Sequence, residues 1–134
     1  MMLRLARYVI FATLAVVLWG SAWATEKRPK VKYDPATETK ISGTIEEVKE
    51  FECPVSGTIG YHLVLKTGAG ALTVHVAASK FMKEYDILFE KGQHIEVVGS
   101  KVKLEGGEDA ILAREIVRGQ NTFAFRDKQG NPLW

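Results

Sequence analysis

Cysteine is almost absent from this sequence: Cys53 is the only one in 134 residues. No intrachain disulfide can form, so a core of apolar side chains must hold the fold. The four prolines, Pro29, Pro35, Pro54 and Pro132, all lie outside the alternating apolar segments and mark connections. Long apolar runs are missing as well. The longest, Tyr8 to Leu18, is short of the ~20 residues that span a bilayer as a helix. The motifs of conventional catalysis are also lacking: there is no nucleophile elbow, no HExxH and no phosphate loop. Gly68-Ala69-Gly70 reads as a turn, and the acidic runs Glu46-Glu47 and Glu50 to Glu52 read as a solvated face. The sequence therefore points away from an enzyme, and no residue is assigned a catalytic role.

A strong charge of one sign is absent too. The net charge is +2, and Arg4 and Arg7 account for the whole excess of 18 Lys and Arg over 16 Asp and Glu. These two arginines precede the run Tyr8 to Leu18, and Ala22-Trp23-Ala24 has the small-x-small form of a signal-peptidase site. This pattern predicts a signal peptide over 1–24, cleaved after Ala24; an uncleaved anchor is the competing reading. No cysteine sits at the cleavage site and no twin-arginine pair precedes it, which points to the general secretory route. The expected location is periplasmic or secreted, with no stable membrane span after cleavage. The remaining chain, about 110 residues and electrically neutral, suffices for one domain with one core. Neutrality weakens a nucleic-acid reading, which calls for a basic surface.

Residues 25–38 form a polar stretch with Pro29 and Pro35, expected to be an extended leader or, alternatively, a basic arm. Period-two alternation starts near Lys40 and predicts a first strand to Phe51, with a bulge or strong coiling after Ile45. Tyr61, Leu63 and Leu65 alternate with His62, Val64 and Lys66, and Leu72, Val74 and Val76 alternate with Thr73, His75 and Ala77. With the turn Thr67 to Gly70 between them, these two runs form a hairpin. Ser79 is the expected N-cap of a helix from about Lys80 to Phe89. A further strand is predicted from His94 to Leu104, with a bulge or bend at Gly99, and a last one from Asp109 to Arg118.

The order is then β1-β2-β3-α-β4-β5. The segments KGQHIEVVGSKV (Lys91 to Val102) and ILAREIV (Ile111 to Val117) resemble the fourth- and fifth-strand signature of OB-fold domains. The chain thus resembles the small exported bacterial OB-fold proteins over roughly Lys40 to Gly119. The resemblance implies an all-β fold with one short helix, a five-stranded Greek-key barrel. It also implies binding on the outward side of strands two and three and the neighbouring loop. The domain is expected over 39–134, its tail 120–134 folding back as an extra strand and turn because Phe123, Phe125, Leu133 and Trp134 are too apolar for a disordered end. A partner-binding tail is the alternative.

The expected ligand-binding face comprises Val64, Lys66, Thr73, Lys101, Lys103 and Arg114. A metal site is also legible. If Thr67 to Gly70 is a four-residue loop, Lys66 faces Ala71, Val64 faces Thr73 and His62 faces His75. Cβ atoms of directly opposed residues lie ~5 Å apart, so the two imidazoles could share one ion on the outward face; the competing reading is a register slipped by two residues, or a surface histidine pair that binds nothing. Cys53, in the loop Glu50 to Gly60, could complete the site. Cys with two His suits copper or zinc. A buried structural thiol, or a thiol pairing outside the chain, are the other readings of Cys53. The function expected is a non-catalytic exported binding module for an envelope partner or small ligand, with a metal ion as a candidate ligand. The alternatives are a single-stranded nucleic-acid binder, which lacks an obvious stacking aromatic on that face, and a redox or metal accessory subunit using Cys53.

Overall fold

The computed structural model describes residues 31–53, 55–104 and 106–134. The predicted signal peptide with its cleavage after Ala24, and the beginning of the leader, lie outside the described residues. The elements are β1 (Glu38–Glu52), β2 (Ile59–Thr67), β3 (Gly70–Ala78), α1 (Ser79–Glu84), β4 (His94–Lys103), β5 (Asp109–Arg118) and β6 (Asn121–Ala124), preceded by a 3-10 turn at Pro35–Thr37. All connections between neighbouring strands are antiparallel except one. β3 and β5 run parallel through Thr73, Val74 and His75 opposite Ala110, Ile111 and Leu112, and this pairing closes the sheet into a barrel. The closed order β1-β2-β3-β5-β4, with the short helix between β3 and β4, is the OB-fold predicted from the sequence.

One long strand makes closure possible. β1 has 15 residues; its first half pairs with β4 and its second half with β2. The hand-over coincides with a register shift between Ile45 and Glu47, the bulge expected where the alternation falters. A second shift lies between Val98 and Gly99, at the predicted bend. A Cβ at Gly99 would fall against the Leu112 carbonyl, and one at Gly43 against the Lys66 carbonyl and Leu65 Cγ. Both positions therefore need glycine for close backbone approach. The inward residues Ile45, Leu63, Leu65, Val74, Val76, Ile95, Val97, Ile111 and Ile116 form the core, with Met82 and Phe89 plugging one end.

The helix departs from expectation. It has six residues and stops at Glu84, well short of Phe89. Asp86 takes a left-handed φ of 51°, a conformation Asp tolerates better than most residues but a helix does not. Nor does Ser79 cap it. Ala78 occupies the cap position without a side-chain bond, and Ser79 Oγ is buried with no partner among the described residues. Of the predicted apolar helix face, Met82 and Phe89 are buried while Tyr85 and Leu88 are exposed. Tyr61 explains how Phe89 enters the core without helix. Its hydroxyl donates to the Phe89 carbonyl at 3.2 Å and accepts from the Phe89 N–H at 3.1 Å.

The tail folds back as an extra strand and turn. β6 pairs with the end of β5, Phe125 is fully buried, and the Leu133 N–H returns to the Phe125 carbonyl at 3.0 Å. The Asp127 carboxylate holds the turn by accepting from the N–H groups of Gln129 and Asn131, both at 2.9 Å. Trp134 packs against Phe81 and Arg126 but stays 38% exposed. Before β1, the Asp34 N–H donates to Ser100 Oγ at 3.0 Å, and Arg114 Nη2 donates to the Glu38 carboxylate at 2.8 Å.

Candidate metal centre

The register of the β2–β3 hairpin is the predicted one: Lys66 opposite Ala71, Val64 opposite Thr73 and His62 opposite His75. One step further a shift between Tyr61 and His62 inserts a bulge. Tyr61 and His62 are in consequence both buried although they are adjacent. The imidazole planes stand at 90° with centroids 4.4 Å apart.

Cys53 follows the last residue of β1. A tight loop sets its position: its N–H donates to the Thr58 carbonyl at 2.7 Å, and its carbonyl accepts from Gly57 at 2.8 Å. The thiol then lies 3.3 Å from His75 Nδ1. One donor atom from each of Cys53, His62 and His75 falls within 4.8 Å of the other two. A cavity of about 20 Å³ adjoins them, enough for one water molecule or one ion.

The prediction placed this pair on an outward, solvent-facing surface. The outward side is correct and the solvent is not: Cys53, His62 and His75 are 6%, 1% and 5% exposed. Three segments cover them, two flanking Cys53 and one from the distant tail. Phe51 stacks on His62 with ring centroids 3.9 Å apart and planes 12° from parallel. Val55 and Ser56 line the cavity, and so do Arg126 and Trp134 from the tail. These covering residues were missed. Phe51 is the penultimate residue of β1, Arg126 follows an apolar strand and Trp134 is the last residue of the sequence, and no spacing links any of them to the histidines.

Burial sets the electrostatics. It pushes His62 down to about 4, with the nearby His75 acting in the same direction. It also pushes His75 down to about 4, helped by the positive charge of Arg126. Both rings are neutral at pH 7, the form in which imidazole binds metal. His62 Nδ1 and His75 Nε2 are enclosed and have no hydrogen-bond partner among the described residues. Each such orphan costs roughly 1–3 kcal/mol. Three soft or borderline donors at this spacing, two with unpaired lone-pair or N–H sites, are what a transition-metal ion would satisfy.

The remaining predicted binding residues do not converge on this site. Val64 and Thr73 oppose each other farther along the hairpin, and Thr73 Oγ1 donates to Glu108 at 3.2 Å. Lys66 is exposed beside the hairpin turn. Lys101 and Lys103 lie on β4, where Lys103 meets Asp109 at 3.1 Å. Arg114 is engaged by Glu38 and Glu115 at 2.8 and 3.0 Å.

Residues 37–123 match the MamS/MamX magnetosome protein family. The chain belongs to this family. The matched segment contains Cys53, His62 and His75 and ends before Arg126. Among solved structures, the S. pombe Stn1-ten1 complex is similar at 15% identity over 69% of this chain and 72% of that chain, with a TM-score of 0.49. No curated protein matches. Among the described residues, no helix is long and apolar enough to cross a membrane.

Proposed function

We propose that this magnetosome-family protein is a non-catalytic, exported OB-fold module that binds a transition-metal ion through Cys53, His62 and His75. The observation that carries the reading is the convergence of three buried donors, two of them imidazoles with an unpartnered nitrogen. A structural pair of buried histidines would be expected to satisfy both ring nitrogens inside the protein. Export is supported by the Arg4 and Arg7 n-region, the apolar run and Ala22-Trp23-Ala24. The barrel holds the donors on two paired strands and a hydrogen-bonded loop, so little conformational entropy remains to be lost on binding. The test is metal analysis of the mature protein after equilibration with copper or zinc and removal of excess ion. One ion per chain is expected. His62→Ala and His75→Ala should each lower occupancy at least tenfold, and the double variant should lose little more because the ligands act together. Absence of stoichiometric metal in the folded protein would refute the reading.

A further inference from the structure

The three donors do not make up the whole site. Arg126 lines the same cavity from the tail. Its guanidinium lies 5.0 Å from the Trp134 ring centroid and 5.9 Å from that of Tyr33, and its Nη1 donates to the Gly130 carbonyl at 2.8 Å. Its Nε is buried without a partner among the described residues. Among the described residues no carboxylate pairs with it. The adjacent Asp127 carboxylate is taken up by Gln129 and Asn131. A cation is therefore built into the wall of a metal site, with neutral partners on its other sides.

This changes which ion fits. A metal-bound cysteine is a thiolate and metal-bound histidines are neutral, so the donor set carries one negative charge. A divalent ion would leave a net positive centre in the cavity that Arg126 also lines, within reach of a charge that already acts on His75. A monovalent ion leaves a neutral centre, and the repulsion disappears. The donor count agrees. Zinc in structural sites takes four protein ligands, whereas the described residues bring together three. A thiolate ligand suits monovalent copper and zinc alike, so the charge of the surroundings decides between them.

We infer that Cys53, His62 and His75 form a three-coordinate site for monovalent copper, and that Arg126 supplies selectivity against divalent ions. The inference rests on the metal-binding reading above, and one titration series separates the two. The mature protein and Arg126→Gln are titrated without oxygen with Cu(I) against a chromophoric chelator, and separately with Zn(II). The unaltered protein should bind one Cu(I) and bind Zn(II) more weakly. Arg126→Gln should tighten Zn(II) by about tenfold or more while changing Cu(I) much less, because only the divalent complex keeps a net charge to be repelled. Arg126→Lys, which preserves the charge, should keep the original ranking. If Arg126→Gln does not fold, Arg126→Met removes the same charge with an apolar chain of similar reach and serves in its place. Zn(II) binding as tight as Cu(I) in the unaltered protein, or an equal response of both ions to loss of the charge, would overturn the copper assignment and leave the metal site standing. Binding of neither ion would overturn both.

Discussion

Acid should unfold the metal-free protein through its two buried histidines. Each has a folded-state pKa of about 4 against an ordinary 6.5. Above pH 6.5 the rings are neutral in both the folded and unfolded chain, and the stability they permit is fully present. As pH falls from 6.5 to about 4, the unfolded chain takes up protons that the folded one refuses, so stability drops. One pKa unit corresponds to 1.36 kcal/mol, so each ring contributes a loss of about 3 kcal/mol once pH reaches 4. Two rings together, about 6 kcal/mol, reach the lower end of the ~5–15 kcal/mol that holds a domain of this size. Below about 4 the loss levels off. The assay is urea unfolding followed by tryptophan fluorescence at half-unit steps from pH 7.5 to 4.5, with a chelator present. The midpoint should fall steeply below pH 6.5, and His62→Phe, which preserves stacking on Phe51, should remove about half of the slope. A midpoint independent of pH across that window, or a slope unchanged in the variant, would refute the burial of neutral imidazoles. Loading the site should raise the stability by about 2.7 kcal/mol at an ion concentration a hundredfold above Kd, and the unfolding midpoint with it.

Two further outcomes test the frame around the site. Gly99→Ala sets a methyl against the Leu112 backbone and should cost about 3 kcal/mol or more, whereas Gly68→Ala, with nothing within 4 Å, should stay within about 0.5 kcal/mol; thermal unfolding of both variants makes the comparison, and equal melting temperatures would count against the close approach of β4 and β5. Deleting residues 131–134 removes the Leu133 bond to Phe125 and the Trp134 contacts with Phe81 and Arg126. Because Trp134 is partly exposed, the loss should fall below the 3–5 kcal/mol of a buried tryptophan, at about 1–2 kcal/mol. The melting temperature should drop by several degrees; an unchanged value would mean that the tail does not cover the barrel.

The likeness to exported OB-fold proteins came from strand order and from two short segments. These are local features, and β5 runs from Asp109 to Arg118 as its alternation requires. The bulges after Ile45 and at Gly99 were legible for the same reason: a break in period two has no other outlet in a paired strand. The helix was less legible. Its apolar spacing continues to Phe89, yet the chain leaves the helix at Tyr85 because Tyr61 captures the Phe89 backbone from another strand. A helical pattern shows which residues seek the core, and a competing tertiary bond decides how far the helix runs.

The metal centre divides along the same line. The sequence by itself determined the parity of the hairpin, since a one-residue slip would turn Leu63, Leu65 and Val74 out of the core; the turn then set His62 opposite His75, where a two-residue slip would have parted them. It also brought Cys53 within reach, because the loop that joins β1 to β2 is short. Only the tertiary structure decided that the pair is buried and that a cation shares its cavity. Solvent exposure depends on what lies over a surface, and here that includes Phe51, Val55, Ser56 and a tail some 50 to 70 residues away along the chain. Alternation along one hairpin carries no information about such distant cover, yet the cover fixes the protonation of the rings and the charge that a bound ion would meet.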